Sequence, residues 1–74
     1  MEKKFQKELI AFGKRLKNLR IEKGMTQLDL EVASGVTEAD ISRIENGKQN
    51  IEFYTLVKLA SALDLPLKEL FEFD

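Results

Sequence analysis

Two helix beginnings only eleven residues apart constrain this chain more tightly than anything else in it. In the segment TQLDLEVASGVTEADISRIENG, Thr26 is followed three residues later by Asp29, and Thr37 three residues later by Asp40. Each pair has the form of a capping box, in which the hydroxyl accepts from an amide of the first turn and the acidic side chain reaches back to the cap. The carboxylates also complement the positive end of a helix. The first of the two helices must therefore be short. Gly35 lies between them, where a chain leaving a helix often turns left-handed, a conformation that costs a residue with a Cβ roughly 1 kcal/mol. Gly24 and Gly47 punctuate the chain in the same way. Leu30, Val36, Ile41 and Ile44 supply one apolar anchor in the first helix, one in the turn and an i, i+3 pair in the second. Together they are enough to close a small shared core.

Two short helices joined this way have the layout of a helix-turn-helix. The shared core leaves Glu38, Ala39, Ser42 and Arg43 on the outer face of the second helix. When such a pair reads DNA, the second helix lies in the major groove and the N-terminus of the first sits near phosphate. Arg43 then suits a bidentate contact to guanine, Glu38 suits a cytosine amine and Ala39 a thymine methyl. Each residue type is equally at home on a solvated surface.

With 74 residues, the chain is expected to form one domain over residues 1–74, near the small end of what buries an adequate core without staples. It has no cysteine, which excludes disulfides and thiolate metal sites. It also has no histidine, the commonest general base and metal ligand. No grouping of carboxylates suggests a pocket, so neither an enzyme nor a cofactor, metal or small-molecule ligand is expected. The opening MEKKFQKELIAFGKR carries charges through its apolar part, unlike a signal peptide or a membrane span, and a cytoplasmic location is expected.

The net charge of −1 hides an uneven distribution. Residues 1–23 hold eight basic side chains (Lys3, Lys4, Lys7, Lys14, Arg15, Lys17, Arg20 and Lys23) against Glu2, Glu8 and Glu22, a balance of +5 that leaves −6 for the rest. Phosphate neutralisation supplies most non-specific DNA affinity, so a chain this acidic should depend on specific contacts or on dimer formation. A solvated basic helix with no phosphate nearby explains the first segment equally well.

Helical periodicity runs nearly throughout, without strand-like alternation, and predicts an all-α, compact five-helix bundle. The first helix is expected from about Lys3 to Lys23, with Phe5, Leu9, Phe12, Leu16 and Leu19 in one apolar stripe. The fourth is expected from about Ile51 to Leu63, capped by Asn50, with Phe53, Leu56, Val57, Leu59, Ala60 and Leu63 facing the core. Pro66 suits the first turn of a last short helix over Leu67 to Phe71.

The runs LKNLRIEKGMTQLDL, GVTEADISRIENGKQN and TLVKLASALDLPLKELF resemble the Xre/Cro family of phage-repressor-like helix-turn-helix domains. The resemblance covers about residues 12–71, which makes residues 1–11 an N-terminal extension of the first helix. It implies a lambda-repressor-like fold that binds double-stranded DNA, usually as a homodimer on a palindromic operator. It also implies a role for each matching residue. Gln27 falls where the family places a residue against the phosphate backbone. Thr37, Glu38, Ala39 and Arg43 fall on base-facing positions of the recognition helix, and Asn46, Lys48 and Asn50 fall in a loop that grips phosphate. Arg20 and Glu45 match a pair bridging the first and third helices, where stranding one partner costs about 3 to 5 kcal/mol.

Two positions depart from the family pattern. Glu31 replaces a nearly invariant alanine and is expected to stretch its stem sideways, keep its head wet and slightly widen the helix crossing. Glu38 and Asp40 bring acid to a helix that meets a polyanion. Asp40 is read as a cap, and Glu38 either reads cytosine or weakens binding. In the tail, Leu65, Leu67, Leu70, Phe71 and Phe73 are expected to form a symmetric dimer interface that sets two recognition helices about 34 Å apart. The alternative is that Phe5 and Leu9 cover these residues within one chain. Two functional classes follow: a transcriptional regulator, most simply a repressor, or an antitoxin-like or adaptor interaction module using exposed Leu28 and Val32.

Overall fold

A computed structural model describes residues 2–73. It contains four α-helices, α1 (Lys3–Glu22), α2 (Gln27–Ser34), α3 (Glu38–Glu45) and α4 (Phe53–Ala62), followed by a 3₁₀-helix over Leu67–Phe71. No strand occurs among the described residues, and the fold is all-α. The expected fifth helix is thus a short 3₁₀ segment with the expected bounds. Pro66 takes an extended cap conformation ahead of it, and five residues with one buried side chain suit the tighter, shorter helix type.

The four anchors of the central helix pair behave as the sequence predicts: Leu30, Val36, Ile41 and Ile44 are all buried. Phe12, Leu16 and Leu19 of α1 join them, together with Leu59 and Ala60 of α4, Leu63 at its C-cap and Leu70 of the terminal helix. Gly13 is also buried, because α1 and α3 cross there in direct backbone contact. A Cβ on Gly13 would collide with the carbonyl oxygen of Ile44 and come within 2.6 Å of that of Glu45.

Several expectations need correction at the edges. Phe5 is exposed and Leu9 only half-buried, since the first turns of α1, from Lys3 to Glu8, are exposed apart from half-buried Gln6. In α4 the buried positions are Leu59 and Ala60, with Leu63 buried at its C-cap and Leu56 half-buried, a narrower arc than expected. Phe53 is 66% exposed and Val57 lies largely outside the core. Asn50 does not cap this helix. The helix begins two residues later than expected, behind Glu52, with no side-chain cap bond.

The tail is mostly folded back onto its own chain. Leu70 is fully buried, which removes it from any interface between intact protomers. Leu65, Leu67 and Phe73 are half-buried against the core, and Phe71 alone of the five is exposed. The cover comes chiefly from Phe12, whose ring lies 5.6 Å from that of Phe71 and 6.5 Å, edge-on, from that of Phe73.

Candidate nucleic-acid interface

The turn between α2 and α3 is built as its sequence predicts. Thr26 Oγ1 accepts from the Asp29 amide at 3.0 Å and Asp29 Oδ2 accepts from the Thr26 amide at 2.9 Å, a complete capping box. Donation from the Thr26 backbone, with the Thr26 hydroxyl adding to it, holds the Asp29 carboxyl below its ordinary value. Gly35 closes α2 at φ 79°, and its amide donates to Glu31 O.

The start of α3 differs. Thr37 Oγ1 accepts from the Asp40 amide at 3.1 Å, but the reciprocal half of the box is absent. The Asp40 carboxylate turns instead to the Arg43 guanidinium, one turn further along. A different carboxylate serves the helix end: Glu31 Oε1 accepts from the Glu38 amide at 2.6 Å. Glu31 therefore spans the turn and caps α3, rather than leaving its head free in water. An acid at this positive end is favourably placed.

Behind α3 lies the pair that fixes it to α1. Arg20 Nε donates to Glu45 Oε2 at 2.7 Å and Nη2 donates to Oε1 at 3.0 Å, a bidentate fork, while Nη1 donates to Met25 O at 2.8 Å. Gln27 Nε2 donates to the same Glu45 Oε1 at 3.0 Å. Hydrogen bonding to Glu45 raises Arg20 above its ordinary value despite the opposing effect of burial. Among the described residues no buried side-chain nitrogen or oxygen lacks a partner. Gln27, expected only at phosphate, also ties the start of α2 into this network.

In front, Thr37, Glu38, Ala39 and Arg43 are exposed on the outer side of α3, and Ser42 is half-buried beside them. Arg43 is held on both flanks, with Nε donating to Gln49 Oε1 at 2.7 Å and Nη2 paired with Asp40. Sequence reasoning missed Gln49. Asp40 and Arg43 were detectable as an i, i+3 pair of opposite charge, whereas Gln49 lies in a loop without periodicity. Helix α3 ends in a Schellman motif, in which Lys48 N donates to Arg43 O at 2.9 Å and Gly47 N to Ile44 O at 3.0 Å. The Asn46 side chain donates to Ser42 O at 2.8 Å, and Lys48 and Asn50 are exposed in the loop that follows. A cleft of about 370 Å³ between α1 and α3 is lined by Ile10, Lys14, Lys17, Gln27, Glu45 and Asn46.

A family model described as helix-turn-helix matches residues 16–70. The repressor RghR of Bacillus subtilis is 46% identical over 61 residues, covering 81% of this chain and 45% of its own length. The control protein C.MunI of Mycoplasma sp is 40% identical over 67 residues, covering 84% of this chain and 85% of that protein. The chain thus spans under half of the first relative and most of the second. Among solved structures, the restriction-modification controller protein C.AhdI of Aeromonas hydrophila superposes with a TM-score of 0.84 at 40% identity. That match covers 85% of this chain and 96% of C.AhdI.

Proposed function

The chain belongs to the helix-turn-helix family of Xre/Cro type, and from that premise we propose that it is a sequence-specific DNA-binding regulator of transcription, acting as a repressor on a palindromic operator. The observation that carries this reading is the outer face of α3. Four exposed side chains stand there, Arg43 among them held by Asp40 and Gln49, on a helix clamped from behind by a fully hydrogen-bonded ion pair. Thr37, Glu38, Ala39, Ser42 and Arg43 face the major groove. Gln27, Asn46, Lys48 and Asn50 face phosphate.

Selecting bound sites from a random duplex pool with purified protein tests the proposal. A shared palindromic motif, with affinity falling steeply as salt rises, is the expected result. Absence of any sequence preference at low ionic strength overturns it.

The protein acts as a homodimer in this reading. Phe53, Tyr54 and Val57 on α4 and Phe71 on the terminal helix are exposed apolar side chains of the kind that mark interfaces. They replace buried Leu70 as the proposed contact. A gel-filtration mass near twice the 8.5 kDa protomer is expected.

A second reading, an antitoxin-like or adaptor module, draws support from α2, where Val32 is 81% exposed and Leu28, one turn away, is also exposed. Binding that is indifferent to salt and to DNA sequence favours this reading.

A further inference from the structure

We propose that Lys3, Lys7, Lys14 and Lys17 form a ridge along α1 that binds phosphates of the duplex flanking the half-site read by α3. This deepens the DNA-binding reading above and rests on it. The family model matches from residue 16, whereas α1 begins at Lys3, so three of these four lysines precede the matched residues, and Lys3 and Lys7 lie in the N-terminal extension of α1.

At 3.6 residues per turn, positions 3, 7, 10, 14 and 17 fall within an arc of about 80° on one side of the helix. Four of the five are lysines and the fifth is Ile10. The acidic side chains of α1 lie off this arc, with Glu8 on the other flank in an apolar groove beside Leu9, Phe12 and Phe71. From Lys3 to Lys17 the ridge runs about 21 Å, at 1.5 Å per residue. That length equals the axial rise of about six base pairs of duplex at about 3.4 Å each.

Two independent contacts join the ridge to the proposed DNA-facing surface. Lys14 and Lys17 line the same cleft as Gln27 and Asn46. Ile10, in the middle of the row, is packed so closely on Gly47 that a Cβ there would lie 2.7 Å from Ile10 Cγ1 and 2.9 Å from its Cα. Gly47 sits between Asn46 and Lys48, so Lys7 and Lys14 each stand one turn from the loop expected to grip phosphate. The positive row is continuous with that loop, and it carries four of the eight basic side chains of residues 1–23.

The test compares two double variants with equal loss of charge, K3Q/K7Q on the ridge and K4Q/K68Q away from it, on the selected operator with long and trimmed flanks. Glutamine keeps helix propensity close to that of lysine, and far-UV circular dichroism verifies the helix. K3Q/K7Q should flatten the slope of log affinity against log salt by about 1 per lysine in each protomer. It should also lose backbone protection on the flanks, leave the preferred motif unchanged and become equal to the parent on trimmed duplex. K4Q/K68Q should match the parent.

Equal slopes for K3Q/K7Q and parent, or equal losses in both variants, overturn the ridge while leaving base reading by α3 intact. A parent that binds duplex without sequence preference, with a slope that still depends on Lys3 and Lys7, overturns base reading and keeps the ridge. A parent that binds no duplex removes both.

Discussion

Arg20 and Arg43 do similar chemistry in two different places. Each guanidinium engages a carboxylate, Glu45 for Arg20 and Asp40 for Arg43, and each assembly includes a glutamine, Gln27 in the first case and Gln49 in the second. Depth separates them. The side chains of the first pair are 10% and 3% exposed, those of the second 53% and 37%. A desolvated ion pair cannot release one partner without stranding the other, whereas an exposed pair is worth at most about 1 kcal/mol and can exchange its partner. The buried assembly is therefore a frame that sets the angle of α3 on α1. The exposed one holds Arg43 in reach of a ligand without binding it tightly.

The largest expected effect breaks the frame. Glu45→Ala leaves Arg20 buried without its carboxylate and removes the acceptor of Gln27, and should cost about 3 to 5 kcal/mol of stability. A domain of this size has on the order of 4 to 11 kcal/mol in all, so the variant should be partly unfolded at 37 °C. Denaturant titration measures the loss. Replacing both partners with apolar residues, Arg20→Met with Glu45→Leu, should recover most of it, because neither charge is then left unpaired. If Glu45→Ala loses under 1 kcal/mol, the pair is no frame.

The exposed assembly should answer in binding instead. Arg43→Ala is expected to weaken the selected operator by about 1 to 3 kcal/mol, relax one base position and leave the unfolding midpoint nearly unchanged. Gln49→Ala removes one of the two restraints on Arg43 and should cost less, up to about 1 kcal/mol of affinity, through the added ordering of that side chain on binding. Isothermal titration on the same duplex ranks the two. Equal affinity of Arg43→Ala and parent for every sequence refutes base reading by this residue.

The same contrast explains what was legible in the sequence. Caps and turns are local, so Thr26, Asp29, Gly35 and Thr37 disclosed the central helix pair, and the four apolar anchors followed from spacing. Arg20 and Glu45 are 25 residues apart and became visible as a pair only through family resemblance. Periodicity predicted that α4 is amphipathic but not how wide a face its neighbours cover, and so Phe53 and Val57 were placed inside. The apolar tail was equally ambiguous: whether Leu70 meets its own chain or a partner depends on the path of the backbone to Phe12, which no local signal carries. Glu31 was misjudged because its partner, the Glu38 amide, belongs to the next helix.

Glu31 also supplies the next smaller prediction. Glu31→Ala puts a small residue at the helix crossing but removes the cap on the first turn of α3, and should lower stability by about 1 kcal/mol. Glu31→Gln retains an oxygen acceptor without the charge and should fall between the two. A more stable Glu31→Ala would mean that close crossing of the helices outweighs the cap.

Asp29 gives the mildest test, since its carboxylate is fully exposed and water screens its contribution. Donation from the Thr26 amide, then from the Thr26 hydroxyl, lowers its folded-state pKa below the unfolded value near 4. A lowered acid binds its proton less readily in the folded state. It therefore contributes stability that is fully present above the unfolded value and is lost as pH falls through the folded one. Asp29→Asn has no proton to take up. Chemical denaturation between pH 5 and pH 2 should thus show the parent losing more stability than Asp29→Asn, with the gap between them closing toward the acid end. Parallel curves for the two proteins would mean that the capping box does not couple to the charge of Asp29, and that the α2 cap, unlike the Arg20 frame, is held by hydrogen-bond geometry alone.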